Sequence, residues 1–174
     1  MGNLSFIVPT KKLEDFNIDK VFELLSEEFN DLTIERSDEF KELQVRTSRD
    51  NLVTDIYFNQ DCYILNYEDD IKELEEMIKE VKETKYPELE RRYLDCINGL
   101  KKLQEINPDL DNVIQLTYGS GREVELKQDI EYFLQDYFYA YNFDEGIHPE
   151  YIGPDYERKP KSNIISNWKD FFKN

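Results

Sequence analysis

The first third of the chain alternates between strand-like and helix-like patterns. SFIVPT (5–10) is a short apolar run closed by a proline, whereas residues 13–29 place apolar side chains at helical spacing. Three later segments, DLTIERS, ELQVRTS and VTDIYFNQ, alternate apolar with polar residues, and CYILNY either extends the last of them or forms another strand. Residues 1–67 are therefore predicted to form a small antiparallel sheet with one packed helix.

From Asp69 the apolar residues recur every three or four positions. One stripe runs from Ile71 to Val81, and a second runs from Leu89 to Leu103, with Pro87 at a position that helices allow in their first turn. Asn107-Pro108 ends the second stripe. The pattern predicts a helical hairpin.

The pattern after residue 112 leaves two interpretations open. VIQLTY, the Gly-Ser-Gly turn and REVEL can form a β-hairpin, although REVEL can equally begin the helix predicted over about 127–142. NIISNWKDFF predicts a last amphipathic helix. With no internal repeat or linker, we expect one α+β domain over 1–174, sheet-rich in 1–67 and mainly helical in 68–174.

Charge narrows the range of partners. The 174 residues carry a formal net charge of -17 at pH 7, which disfavours direct nucleic-acid binding and anionic membrane surfaces and favours encounter with a basic protein. No secretory signal or membrane-spanning apolar run is apparent, so a cytoplasmic location is expected. Cys62 and Cys96 form no CxxC pair and are expected to be buried thiols.

The negative charge is concentrated in two tracts that lack lysine and arginine. Gln128–Glu157 holds eight acidic residues in thirty, and Asp50–Ile71 holds six in twenty-two. Residues 72–106, in contrast, mix lysine and arginine with glutamate, as exposed helices commonly do. The pattern is consistent either with an acidic face for a basic partner or with a solvated edge that maintains solubility.

The first tract is also rich in aromatic rings, since residues 132–157 contain six tyrosines and three phenylalanines. Some rings belong to an apolar stripe formed by Ile130, Phe133, Leu134, Tyr137 and Phe138 and are expected in the core. Tyrosine is favoured at interfaces because it offers a large contact area with few rotatable bonds. The residues predicted to bind a partner are Asp136, Tyr139, Asp144, Glu145, Tyr151, Asp155 and Tyr156.

Catalytic signatures are weak. His148 is the single histidine and precedes a proline, the Gly-Ser-Gly turn lacks a phosphate-loop lysine, and Ser120 has no GxSxG context. Glu68-Asp69-Asp70 and Asp144-Glu145 are acid runs that can ligate Mg²⁺, but adjacent acids more often mark helix starts. We expect a non-enzymatic protein without a cofactor or metal.

His148-Pro149, the tyrosines that follow, Pro154 and the NIISNWKDFF helix resemble the C-terminal part of nuclease-colicin-type immunity proteins over residues 131–171. The resemblance implies an acidic inhibitor that caps the basic nuclease domain of a toxin. It also implies that Tyr151, Asp155 and Tyr156 contact that toxin. The family is small and all-helical, whereas this chain is longer and strand-rich at its front.

Three functions are therefore considered. The first is a bacterial immunity or antitoxin protein that occludes a basic toxin such as a nuclease. The second is a DNA mimic from a phage or mobile element, which requires evenly spaced carboxylates on a rigid face. The third is a metal-dependent enzyme, which requires several carboxylates converging in a pocket. The sequence gives no indication of the oligomeric state.

Overall fold

The computed structural model describes residues 3–11, 13–58, 66–110, 112–146 and 149–156. Within these ranges the chain has an α+β fold of four helices and a seven-stranded antiparallel sheet, which confirms the predicted fold class. In chain order the elements are β1 (Asn3–Pro9), α1 (Ile18–Glu28), β2 (Leu32–Ser37), β3 (Glu42–Thr47), β4 (Val53–Phe58), α2 (Tyr67–Lys82), α3 (Pro87–Ile106), β5 (Ile114–Tyr118), α4 (Arg122–Phe138), β6 (Ala140–Asp144) and β7 (Glu150–Ile152).

The sheet contains strands from both ends of the described part of the chain. Its strand order is β2-β3-β4-β5-β1-β6-β7, so β1 lies between β5 and β6. Phe6 of β1 is paired with Gln115 on one side and with Phe143 on the other. The meander β2-β3-β4 follows the three alternating segments of the sequence. The sheet is larger than the one predicted for residues 1–67, because β5, β6 and β7 come from the part expected to be mainly helical.

Helices cover both faces of the sheet. Successive side chains of a strand point to opposite faces, and β1 shows this alternation. Ile7 belongs to a cluster with side chains of α1 and α4, whereas Phe6 and Val8 belong to a second cluster with side chains of α2 and α3. The protein therefore has two hydrophobic cores separated by the sheet.

The predicted helical stripes supply residues of both cores. Leu25, Leu74, Ile97 and Leu100 are buried, while Phe22 is partly buried at the margin of the α1 and α4 cluster. In the stripe predicted near the end of α4, Ile130, Leu134 and Phe138 are buried and Phe133 is partly buried, but Tyr137 is 47% exposed, contrary to its expected place in the core. Cys96 is a fully buried thiol. Cys62, most of CYILNY and the predicted NIISNWKDFF helix lie outside the described residues. Within the described ranges, no helix combines the length and apolar character needed to cross a membrane.

Local sequence signals set the helix starts. The Asn17 side chain accepts a hydrogen bond from the Lys20 backbone N–H at 2.9 Å, and the Asn66 side chain accepts one from Asp69 at 3.1 Å. Both caps satisfy a backbone donor that the first helical turn leaves without a partner. Pro87 begins α3, where its missing N–H costs no helical hydrogen bond.

After residue 118 the structure selects one of the two interpretations and corrects one helix end. REVEL begins α4, as one interpretation expected, so the alternative β-hairpin does not form, and β5 pairs with β1 and β4. The helix predicted to reach Asn142 ends at Phe138, and Ala140–Asp144 forms strand β6. Ala140 to Phe143 are all buried because this strand lies inside a sheet covered on both faces. A strand buried on both faces lacks the alternation of apolar and polar residues that would distinguish it from a helix by period.

Candidate binding surface

Three half-exposed tyrosines lie near the C-terminal end of α4. Tyr137 is 47% exposed, Tyr139 is 52% exposed and Tyr156 is 53% exposed. Asp136 and Asp155 are exposed beside them in the chain. We refer to Asp136, Tyr137, Tyr139, Asp155 and Tyr156 together as the tyrosine surface.

The tyrosine surface is held together by a hydrogen bond between distant parts of the chain. The Tyr139 hydroxyl donates to Asp155 Oδ1 at 2.5 Å, and this bond raises the pKa of Tyr139 because it favours the protonated phenol. Tyr139 occupies the left-handed region, with φ 50° and ψ 61°, where α4 ends. The turn after β7 is closed by the Tyr156 backbone N–H, which donates to the Gly153 carbonyl at 3.1 Å.

Lys20 of α1 lies beside the tyrosine surface. Lys20 Nζ lies 5.9 Å from the centre of the Tyr137 ring, which is within the range of a cation–π contact. The same ammonium group pairs with Glu23 at 3.4 Å. The surface therefore places rings and carboxylates beside a positive charge that comes from α1, outside both cation-free tracts.

A second acidic region lies at the opposite end of β6. It is a groove of about 190 Å³ between the start of α2 and the segment after β6, and we call it the acidic groove. Its carboxyl groups belong to Asp70, Glu73 and Glu145. Its apolar lining comes from Leu74, Met77, Phe143 and Pro149.

The two cation-free tracts meet in the acidic groove. Asp70 comes from the shorter tract and Glu145 from the longer one, and both line the same groove. Burial raises the pKa of Asp70 to about 6, with further contributions from Glu73 and Asp69. Burial also raises the pKa of Glu145 to about 7, and the charges of Asp70, Glu73 and Asp144 raise it further.

Asp144 takes part in a buried ionic network on the α4 side of the sheet. Lys127 Nζ pairs with Asp144 Oδ2 at 2.5 Å and with Glu131 Oε2 at 3.4 Å. The Tyr118 hydroxyl donates to Asp144 Oδ1 at 2.6 Å. Asp144 is thus committed to interactions inside the protein that connect α4 with β5 and β6.

Glu131 occupies the most buried position of this network. Its carboxyl group accepts hydrogen bonds from Ser5 and from the Asn142 side-chain amide. Burial raises the pKa of Glu131, whereas the Lys127 ammonium and the two hydrogen bonds favour its ionised form. An ion pair of this kind fixes α4 against the sheet, and removing one member would leave an uncompensated buried charge.

Tyr151 is a packing residue, contrary to its predicted place on the surface. Its ring stacks on Tyr141 with centroids 5.6 Å apart and an interplanar angle of 19°. A Cβ added at Gly99 would stand 2.3 Å from Tyr151 Cγ, so the glycine allows the ring to approach α3. The Tyr151 hydroxyl is buried and has no hydrogen-bond partner among the described residues.

The seven predicted partner-binding residues do not form one face. Asp136, Tyr139, Asp155 and Tyr156 belong to the tyrosine surface, whereas Glu145 lines the acidic groove. Since Tyr139 precedes β6 and Glu145 follows it, the two regions are separated by the length of that strand, about 17 to 20 Å. Asp144 and Tyr151 are held within the protein.

Several residues of these sites were missed from the sequence. Asp70 was assigned to a helix start, and Tyr137 was assigned to the apolar stripe that covers the core. Lys127 and Glu131 have the i, i+4 spacing of a helical ion pair, which could have been recognised. Their burial could not have been recognised from the sequence, because it depends on strands from both ends of the chain.

No group of three or more histidine, cysteine or acidic side chains is arranged to hold a metal ion within the described ranges. His148 and the segment 157–174, which carry much of the resemblance to immunity proteins, lie outside those ranges. No protein-family model matches the chain, and neither a curated protein nor a solved structure gives a significant match.

Proposed function

We propose that this protein binds a basic protein partner through the tyrosine surface, as an immunity or inhibitor protein that occludes a toxin such as a nuclease. The observation that supports this proposal is that the half-exposed Tyr139 is hydrogen-bonded to the exposed Asp155, which the half-exposed Tyr156 follows in the chain. The carboxylates of the surface, Asp136 and Asp155, both belong to the longer cation-free tract.

The side chains of the tyrosine surface suit contact with arginine or lysine. A guanidinium group can stack on a tyrosine ring and pair with a neighbouring carboxylate. Because Tyr139 and Asp155 already share a hydrogen bond, little side-chain freedom remains to be lost there when a partner binds. Tyrosines at such positions are frequent hot spots, with losses of about 2 kcal/mol or more on truncation.

The net charge supports the same class of partner. A formal charge of -17 accelerates encounter with a basic protein, by about 10- to 1000-fold at low salt, and repels nucleic acid. Binding driven in this way weakens as salt screens the charges.

The proposal is tested with a panel of purified basic nuclease domains from bacterial toxins. Binding is measured by biolayer interferometry at two salt concentrations, and inhibition is measured by DNA or RNA cleavage. At least one domain is expected to be bound and inhibited, with affinity falling as salt rises. Tyr139→Ala and Tyr156→Ala should each weaken that binding by about tenfold or more, which corresponds to about 1.4 kcal/mol.

The matched control is Tyr86→Ala. Tyr86 is 65% exposed and lies at the start of α3, in the part of the chain where charges are mixed. Its replacement should leave affinity within twofold. Failure of the whole panel to bind, or an equal loss for Tyr86→Ala, would contradict the proposal. Loss caused by Asp136→Asn and Asp155→Asn but by neither tyrosine variant would indicate DNA mimicry instead.

A further inference from the structure

Gln135 is a polar side chain on the buried side of α4. It is fully buried, and its neighbour Leu134 belongs to the hydrophobic cluster between α4 and the sheet. Burial of an amide is unfavourable unless its N–H and C=O groups are hydrogen-bonded. The groups that the Gln135 amide contacts therefore indicate what this residue does.

The Gln135 amide reaches the segment that carries two residues of the tyrosine surface. Its Nε2 donates to the Ile152 carbonyl at 3.0 Å and to the Gly153 carbonyl at 3.3 Å. Ile152 is the last residue of β7, and Asp155 and Tyr156 follow it as exposed residues. The Gly153 carbonyl also accepts the Tyr156 backbone N–H at 3.1 Å. One carbonyl group thus joins the Gln135 side chain to the turn after β7.

The main chain of Gln135 holds the other part of the tyrosine surface. Its carbonyl accepts the backbone N–H of Tyr139, the residue at which α4 ends. The Tyr139 hydroxyl in turn donates to Asp155 at 2.5 Å. These contacts form a closed circuit that leaves Gln135 through its main chain and returns to it through its side chain. The end of α4 and the turn after β7 are therefore fixed relative to each other at one residue.

We propose that Gln135 is a positioning residue of the tyrosine surface. By holding the end of β7 against α4, its side-chain amide keeps Asp155 within reach of the Tyr139 hydroxyl and fixes the turn that ends at Tyr156. A preformed surface loses less conformational freedom when a partner binds, so Gln135 strengthens binding without touching the partner. The inference deepens the proposed function and rests on it for the effect on affinity.

A buried glutamine that served only the stability of the fold would give a different result on removal. Its loss would increase opening throughout the sheet, whereas loss of a positioning residue acts on the turn after β7 and on the hydrogen bond between Tyr139 and Asp155. Gln115 of β5 is the matched control, because it is also a buried glutamine. Strands β1 and β6 separate it from β7.

The first measurement uses the natural full chain and follows glutamine side-chain amide protons by NMR during exchange into D₂O. The Gln135 Nε2 protons should exchange about tenfold or more slowly than those of Gln104, which is exposed on α3. Equal exchange of the two amides would overturn the inference. This result requires no variant, so it does not depend on whether a substituted chain folds.

The second measurement compares Gln135→Met with Gln115→Met. Methionine has a similar length but no N–H donor, so the first variant releases the Ile152 and Gly153 carbonyls. Exchange of the Tyr156 backbone N–H should rise by about fivefold or more relative to the amides of β1 in Gln135→Met only. An unchanged Tyr156 amide, or an equal rise in both variants, would overturn the inference.

The Tyr139 ring gives a readout that a general loss of stability does not move. In the full chain labelled with ¹³C at tyrosine Cζ, the Tyr139 signal should shift in Gln135→Met in the same direction as in Asp155→Ala, because both variants disturb the hydrogen bond to the hydroxyl. Gln115→Met should leave this signal in place. A Tyr139 signal that Gln135→Met does not move would contradict the positioning role.

The last measurement uses a nuclease domain that the natural protein binds in the panel described above. Gln135→Met should weaken that binding by about fivefold or more with the salt dependence unchanged, since it removes no charge. Asp155→Asn should lower both affinity and salt dependence, and Gln115→Met should stay within twofold. Unchanged affinity in Gln135→Met would overturn the contribution to binding. If no domain binds, the proposed function fails, and the NMR measurements still decide whether Gln135 positions the surface.

Discussion

At the scale of single residues, burial separates tyrosines that the sequence does not distinguish. Tyr139 and Tyr156 expose about half of their surfaces, whereas Tyr151 stacks on Tyr141 and contacts α3 at Gly99. An exposed tyrosine can contribute to binding without contributing to the core. A packed tyrosine contributes mainly to the stability of the fold.

Tyr151→Ala should lower the free energy of unfolding by about 3 kcal/mol, because it removes a stacked ring and leaves a cavity between α3 and the sheet. Tyr151→Phe should be neutral or slightly stabilising, since it removes a buried hydroxyl that lacks a described partner. Urea denaturation followed by circular dichroism measures both, with Tyr156→Ala as an exposed control. Equal losses for Tyr151→Ala and Tyr156→Ala would contradict the packing role.

At the scale of elements, the end of α4 determines where the tyrosine surface forms. The chain leaves the helix through Tyr139 in the left-handed region and enters β6 at the next residue. This conformation costs a non-glycine residue about 1 to 2 kcal/mol. The tyrosine at this position makes a hydrogen bond to Asp155 that glycine could not make.

Comparing Tyr139→Gly with Tyr139→Ala separates the backbone cost of the left-handed conformation from the loss of the side-chain hydrogen bond. Both variants remove the ring and its hydrogen bond, but only glycine relieves the left-handed backbone. The glycine variant should therefore be more stable than the alanine variant by about 1 kcal/mol in chemical denaturation. If the proposed function holds, both should lose binding to the basic partner to the same extent. Equal stability of the two variants would show that the backbone at residue 139 is not strained.

At the scale of the whole molecule, the charge of -17 acts on stability as well as on association. Negative charges that repel one another in the compact state destabilise it relative to the unfolded chain, and dissolved salt screens this repulsion. Ion pairs such as Arg122 with Asp50 relieve repulsion locally but leave this net charge unchanged, since both signs are already counted in it.

Raising sodium chloride from about 20 mM to about 300 mM shortens the screening length several-fold. We expect this change to increase the midpoint of thermal unfolding at pH 7.5 by about 3 °C. A shift of that size corresponds to about 1 kcal/mol for a domain of this length. Differential scanning calorimetry measures the midpoint. Sucrose, an uncharged osmolyte, is added at an equal concentration as the control. A midpoint that falls with added salt would contradict net repulsion as the dominant charge effect.

The sequence by itself determined the α+β class, the strands β1 to β4 and the helices α1 to α3, because each has a clear hydrophobic period and its own local end signals. Asn66 and Pro87 are examples of such end signals. The Asn66 side chain caps the first turn of α2, and Pro87, which lacks an N–H, begins the first turn of α3. The sequence also identified the half-exposed Tyr139 and Tyr156 and their neighbouring acids.

Only the tertiary structure decided the conformation of residues 139–146 and 149–152. Ala140–Asp144 becomes a strand because β1, more than 130 positions earlier, offers a hydrogen-bonding edge. The same pairing brings Glu145 to the groove that Asp70 also lines, while helix packing partly buries Tyr151 and Lys127 pairs with Asp144. These outcomes depend on contacts between distant segments, and a local hydrophobic period carries no information about which segments will meet.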